Sequence, residues 1–287
     1  MRSMLFVPGD SPRKFEKASL TKASALILDL EDSVVPDRKD EARGLTRTML
    51  GGRRDGPELY VRVNALDTDM TLQDLAAVMG AAPDGIVLPK CRSGDDVRHL
   101  ALWLDAFEAA AGSKPGSTQI VVVATETAAS IFGLGTYKDS SPRLAGLMWG
   151  AEDLAASLGA TENGSAGQFH SPYRLARDMC LIGAAAAEIA AIDTVYTDIE
   201  NLAGLELETR IARRDGFSAK AIIHPKHVDI VNAAIEPTAA ERAWAEKIVE
   251  AFASNPNLGT LRVDGRMIDE PHLRAAKKIL GMTERTA

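Results

Sequence analysis

Eight short apolar runs, each stopped abruptly by polar residues, recur along the 287-residue chain and constrain its fold more than any other feature. They are Ser3 to Val7, Ala25 to Leu28, Leu59 to Val63, Gly85 to Leu88, Ile120 to Val123, Gly146 to Trp149, Thr194 to Tyr196 and Ala221 to Ile223. Runs that are apolar at consecutive rather than alternate positions describe strands covered on both faces, as in parallel sheets. Helical patterns separate them: Thr71 to Met79, Gly94 to Ala111 and Tyr173 to Ala191 carry apolar residues three and four positions apart. Eight such units predict an α/β fold of the (β/α)8 TIM-barrel type, which typically takes about 250 residues. A doubly wound open sheet is the alternative. The expected organisation is a barrel over residues 1–236. Residues 237–287 then form a C-terminal helical extension, which must pack on the outside of the closed barrel or on a neighbouring subunit.

Composition excludes several partners. A formal net charge of −7 gives no reason to expect nucleic acid. No apolar run approaches the roughly 20 residues that cross a bilayer, and the N-terminus carries no signal-peptide pattern, so a cytoplasmic location is expected. Cys91 and Cys180 stand far apart with no Cys-x-x-Cys spacing and no flanking base, and they read as packing residues.

In barrels of this kind the chemistry gathers at the carboxyl ends of the strands. Here those ends supply Asp10; Asp29, Glu31 and Asp32; Arg62 and Asn64; Lys90; Glu126; Glu152 and Asp153; Asp198; and His224. So many acids around a few cations are costly to gather unless a further cation sits among them. Oxygen donors without a His/Cys set suit Mg2+, with Mn2+ as a substitute; one or two carboxylates complete such a site with water and substrate. Glu126 and Asp153, at the ends of consecutive strands, are the predicted ligands. The alternative is that Glu152 and Asp153 only complement the N-terminus of the next helix. Lys90 could instead form an imine with a carbonyl substrate, which the acid ring makes the weaker reading.

FVPGD at 6–10, LDLEDSV at 28–34, VRVN at 61–64, LPK at 88–90, ETA at 126–128, WGAEDL at 149–154, IIHP at 222–225 and MID at 267–269 appear in this order. The series resembles that of the citrate lyase β-subunit-like enzymes of the HpcH/HpaI aldolase superfamily and spans nearly the whole chain. The resemblance implies a Mg2+-dependent lyase that makes or breaks a carbon–carbon bond beside a CoA thioester, such as malyl-CoA or citramalyl-CoA, with a small 2-oxo acid as the other partner. By position it implies that Arg62 pairs with substrate oxygens, that Asp29, Glu31 and Asp32 support the metal and Arg62, and that Phe6, Arg13 and Lys17 contact coenzyme A. It also implies that Ile223 and His224 face the substrate, and that Asp269 moves a proton at the thioester α-carbon in a neighbouring subunit's site. That last role requires a homo-oligomer, a trimer or hexamer.

Two other functions remain open on the same residues. One is the β-subunit of a citrate lyase complex, with partner subunits and a substrate carried by an acyl carrier protein. The other is a malyl-CoA thioesterase.

Overall fold

The apolar runs become strands that close on themselves. In the computed structural model, which describes residues 2–52, 56–165 and 167–282, six strands follow the first six runs. They are β1 (Ser3–Pro8), β2 (Ala25–Asp29), β3 (Glu58–Arg62), β4 (Gly85–Leu88), β5 (Gln119–Val123) and β6 (Leu144–Met148). A small hairpin, β7 (Gly164–Ser165) with β8 (Gln168–Phe169), precedes β9 (Ala190–Asp193) and β10 (Ala219–Ile222). The eight barrel strands run in the order β1-β10-β9-β6-β5-β4-β3-β2. Because β1 pairs in parallel with both β2 and β10, the sheet has no free edge, and the open-sheet alternative falls.

Helices α1 (Pro12–Ser19), α2 (Lys39–Leu50), α3 (Thr71–Val78), α4 (Gly94–Ala111), α5 (Ala128–Ile131), α6 (Glu152–Leu158), α7 (Ser171–Ala186), α8 (Leu202–Asp215) and α9 (Val228–Ile235) alternate with the strands. Strand alternation sorts the apolar residues into two layers. Met4, Ala25, Ile27, Tyr60, Val87, Val121, Met148 and Ile192 fill the barrel interior. Leu5, Leu26, Leu28, Val61, Ile86, Leu88, Val122 and Leu147 pack between strands and helices. Each strand thus buries both faces, which is why the runs in the sequence are continuous.

The seventh strand departs from the sequence reading. It occupies Ala190–Asp193, not Thr194 to Tyr196, and α7 ends at Ala186 instead of reaching Ala191. The stretch AAAAEIAAID is alanine-rich, and alanine's high helix propensity hides the point where helix gives way to strand. The break falls at Glu188, whose φ of 60° cannot continue a right-handed helix. Asp198, expected at the end of this strand, lies five residues past Asp193 in the following loop.

The chain divides into two compact units, Met1–Ile235 and Glu236–Ala287. The second contains α10 (Ala239–Ser254), the antiparallel hairpin β11 (Thr260–Val263) and β12 (Arg266–Asp269), and α11 (Glu270–Ile279). Asp264 and Gly265 turn this hairpin with φ of 47° and 81°, as a two-residue turn with a right-handed strand twist requires. Ala245, Ile248, Ile268, Leu273 and Ala276 form a core of its own.

A buried ion pair ties the starts of β5 and β6 to the end of α4. Arg143 donates to both oxygens of Glu108, at 2.9 and 2.6 Å, and the backbone N–H groups of Thr118 and Gly116 reach the same carboxylate at 2.8 and 2.7 Å. Burial alone would raise the Glu108 pKa, but Arg143 and these N–H groups outweigh it and hold the carboxyl at about 2 against an ordinary 4.5. A depressed carboxyl pKa contributes stability that is complete above the ordinary value and disappears as pH falls toward the folded one. Glu108→Gln is therefore expected to cost about 2 kcal/mol at neutral pH, since it removes the buried charge partner of Arg143 and leaves the guanidinium Asp105 and the Thr118 carbonyl. The difference in Tm between wild type and variant should shrink as pH falls from about 4.5 toward 2. A difference independent of pH over that window would refute the linkage.

Candidate active site

The last inward-facing layer of the barrel is polar. Asp29 and Arg62 are register partners on β2 and β3, each two residues past an interior side chain, Ile27 and Tyr60. Their side chains therefore point the same way and meet. Arg62 Nε and Nη2 donate to the two Asp29 oxygens at 2.7 and 2.8 Å, the planar fork geometry that lysine cannot supply. The Phe6 ring lies 4.9 Å from the guanidinium carbon. Burial would raise the Asp29 pKa, but Arg62 more than offsets it and keeps the carboxyl below its ordinary value. Arg62 Nη1 stands 3.0 Å from Glu31 Oε2. That approach lacks hydrogen-bond geometry and leaves this buried oxygen without a hydrogen-bond partner among the described residues.

Glu126 and Asp153 follow β5 and β6, and the backbone between them is stitched by Thr125. Its hydroxyl oxygen accepts from Gly150 N–H at 2.9 Å, and the hydroxyl faces Gly150 O at 3.2 Å. A Cβ on Gly150 would lie 3.0 Å from Glu126 Cγ and 3.2 Å from Val123 Cγ1, so a larger residue here would push on the Glu126 side chain. Thr127 and Ser130 form a capping box that starts α5 directly after Glu126, and Glu152 and Asp153 occupy the first turn of α6. Glu126 is 4% exposed. Burial, then Glu31 and Asp153, push its pKa to about 8, although it accepts the Lys90 N–H at 2.5 Å. The Lys90 ammonium reaches Glu31 Oε1 at 2.5 Å and Asp153 Oδ1 at 3.3 Å.

A second tier, illegible in the sequence, holds the β2–α2 loop. Lys39 is buried and donates to Leu30 O, Glu31 O and Asn64 Oδ1 at 2.6, 2.7 and 2.8 Å. Asn64 is gripped in turn by Asp74 Oδ2 at 2.7 Å, and Asp74 by Arg43 at 2.7 Å. The loop that aims Glu31 and Asp32 is therefore fixed from behind by a lysine whose only local signal was a place near the start of a helix.

A cavity of about 800 Å³ opens over these groups, with Phe6, Asp29, Asp32, Arg62, Glu126 and Asp153 in its lining. Ile223 and His224 line it too, while Glu31 lies buried outside the lining. Of the two basic residues expected on α1, Lys17 lines the cavity and Arg13 does not; Lys14 does instead. At about 100° per residue, Lys17, Lys14 and Ala18 share a stripe that leaves Arg13 at its edge. Asp269 belongs to the second unit, where it caps α11 and meets His272 Nδ1 at 2.5 Å. Cys91 and Cys180 are buried free thiols, and burial pushes Cys91 up to about 12. Among the described residues no group of three or more His, Cys, Asp or Glu side chains is arranged to hold a metal, and no helix is long and apolar enough to cross a membrane.

A closed parallel barrel with an acid-lined cavity at its strand ends defines a TIM-barrel protein built for chemistry at that face. The chain belongs to the HpcH/HpaI aldolase/citrate lyase family, whose model matches residues 2–225. The model of C-C bond lyases of the TIM-barrel fold matches residues 166–285. The chain is 36% identical to citrate lyase subunit beta of Escherichia coli (strain K12) over 99% of its own length and 93% of that protein's. It is 33% identical to (3S)-malyl-CoA thioesterase of Cereibacter sphaeroides, covering 100% of this chain and 95% of the relative. The solved structure of CitE from Mycobacterium tuberculosis in complex with magnesium, acetoacetate and coenzyme A is similar at a TM-score of 0.81 and 32% identity, over 98% of this chain and 97% of that one.

Lys39→Met keeps the stem and removes the ammonium from three acceptors. Orphaning such buried groups is expected to cost about 2 kcal/mol in urea unfolding and to speed amide exchange at residues 30–33. Unchanged exchange there would detach Lys39 from the loop.

Proposed function

We propose that this chain is a Mg2+-dependent carbon–carbon lyase. Its substrate would be a β-hydroxyacyl-CoA such as malyl-CoA or citramalyl-CoA, cleaved to acetyl-CoA and a 2-oxo acid. The observation that carries the reading is the convergence of Glu126, Asp153 and the Asp29-clamped Arg62 on one cavity. The complex of the similar CitE with magnesium, acetoacetate and coenzyme A supports it.

The residues present fit a divalent ion. The donors are oxygens only, a buried Glu31 oxygen has an ion pair to Arg62 but no hydrogen bond among the described residues, and burial, then the neighbouring Glu31 and Asp153, push Glu126 up to about 8. Glu31, Asp32, Glu126 and Asp153 face Lys90 and an Arg62 already clamped by Asp29, so carboxylates outnumber cations there. Glu126 and Asp153 would hold the ion, with Glu31 and Asp32 behind them. Bound there, Mg2+ or Mn2+ would supply Lewis-acid charge for the 2-oxo acid's carboxylate and adjacent oxygen.

The chain's own groups would do the rest. Cleavage removes the substrate's hydroxyl proton, sends the electron pair of the breaking carbon–carbon bond into a thioester enolate, and returns a proton to the α-carbon. Arg62 already points into the cavity and is kept cationic by Asp29 and Glu31, so it would orient substrate oxygens where charge develops. Phe6, Lys14 and Lys17 would face the coenzyme A portion, with Ile223 and His224 on the substrate. Asp269 would carry the proton at the α-carbon, acting in a neighbouring subunit of a homo-oligomer. The similarity to a citrate lyase β-subunit and to a malyl-CoA thioesterase keeps both as second readings.

Purified protein with Mg2+, screened against malyl-CoA, methylmalyl-CoA and citramalyl-CoA, should release a 2-oxo acid together with acetyl-CoA, or with propionyl-CoA where methylmalyl-CoA is the substrate. Free thiol without 2-oxo acid accumulation would mark the thioesterase, and activity only with an acyl carrier protein thioester would mark the citrate lyase subunit. Glu126→Ala and Asp153→Ala should each abolish Mg2+-dependent turnover with the fold intact by circular dichroism. Full activity in Asp153→Ala after chelation and Mg2+ add-back would remove it from the metal site.

Asp269→Asn keeps size and loses the proton, so turnover should fall by the roughly 10² to 10⁴ of general acid–base work. Co-assembling inactive Asp269→Asn and Asp153→Ala chains should restore partial activity. No recovery in demonstrably mixed oligomers would rule out action between subunits.

A further inference from the structure

We propose that the Lys90 ammonium is a resident counter-cation of the carboxylate cluster, and that a divalent ion binds by displacing it. The inference rests on the reading of Glu126 and Asp153 as the metal-holding pair. Lys90 Nζ stands 2.5 Å from Glu31 Oε1, 3.3 Å from Asp153 Oδ1 and 3.8 Å from Asp32 Oδ1. Its backbone N–H holds Glu126 Oε2 at 2.5 Å. One residue thus touches all four acids that would surround an ion. Among the described residues, Asp153 has no other ion-pair partner.

The backbone is arranged for this contact. Lys90 has a φ of 50°, in the left-handed region that side-chain-bearing residues rarely adopt. Such conformations persist where surrounding structure over-determines them, commonly at functional sites. Here the register of β4 and the Glu126 bond fix the N–H, and the left-handed turn directs the stem back over the strand end toward Glu31 and Asp153. The side chain is about one-third exposed, at 30%. The side chain is thus partly open to solvent, and its flexible four-carbon stem lets the ammonium swing away from the acids.

Two cations cannot share these oxygens. At about 4 Å, a monovalent and a divalent charge repel by several times RT even at an effective dielectric constant near 20. An ion on Glu126 and Asp153 must expel the ammonium, and the affinity measured is the ion's affinity less that of the lysine it replaces. Lys90 would then do two opposed things: keep the metal-free acids together, and weaken metal binding to a reversible level. This assigns it a positioning role, in place of the imine chemistry that a lysine at a strand end also allows.

The test is metal binding by the purified full chain without substrate. Isothermal titration with Mg2+ should show Lys90→Met binding roughly tenfold tighter than wild type, the scale expected for removing a nearby like charge. Lys90→Arg, which keeps the charge, should show no gain. The metal-free Tm of Lys90→Met should fall below wild type, and saturating Mg2+ should narrow the gap. Equal or weaker Mg2+ binding by Lys90→Met, with wild type binding normally, overturns the inference and leaves the metal reading standing. No Mg2+ binding by wild type overturns both. If Lys90→Met does not fold, wild type decides by mass spectrometry: Mg2+ should speed acylation of Lys90 by an amine-reactive ester relative to exposed lysines. Unchanged or slower labelling overturns the inference.

Discussion

Carboxylates gathered at the mouth of a barrel repel one another and lose hydration, and the architecture above β5 and β6 depends on how that charge is compensated. Asp29 is neutralised at source by a two-pronged bond to Arg62, made possible because the two residues are register partners on adjacent strands. Its neighbours fare differently. Glu31 and Glu126 are both pushed upward, first by burial and then by other acids. Opposite shifts on neighbouring carboxyls follow from how fully each one's burial is offset by a facing cation. The Lys90 ammonium supplies part of the missing positive charge, and a divalent cation would supply more than that lysine can.

The site's precision comes from groups outside the barrel interior. Lys220 lies between Ala219 and Ala221, which face inward, so its side chain points out into the helix layer. There it meets Asp193 and Glu208, both at 2.7 Å, with no exposure of its own. Asp193 also accepts the Trp149 indole N–H at 2.7 Å, and Phe169 packs edge-on against the same ring. Trp149 immediately precedes Gly150, so this outer network anchors the loop that delivers Asp153. Lys39 does the same for the loop that delivers Glu31. In both cases a buried, hydrogen-bonded lysine stands behind a backbone that must stay irregular.

Legibility in the sequence followed the range of the interactions. Continuous apolar runs reported seven of the eight strands at nearly their true positions, because double-sided burial acts on every residue of a strand. The seventh failed where helix-favouring alanines run on into the strand. Asp29, Arg62, Glu126 and Asp153 could be singled out because each sits within a few residues of a strand end. Spacing does not separate Lys14, which lines the cavity, from Arg13, which does not, because it shows which residues share a helix face but not which edge of that face meets a cavity. Lys39, Asp74 and Asp193 were missed because their partners are between 8 and 44 residues away, and no local pattern marks them.

The sequence by itself determined the parallel barrel, the family, and the set of acids and cations at the strand ends, since these rest on periodicity, motif order and position relative to a strand. Tertiary structure alone decided which of those groups are charged, paired or orphaned. The Arg62–Asp29 clamp, the close approach of Arg62 to Glu31 and the placement of Lys90 among four acids arise from strand register and loop paths. The free energy of a buried charge depends on what stands within a few ångströms of it, and only the closed barrel brings residues 29, 62, 90, 126 and 153 to that range.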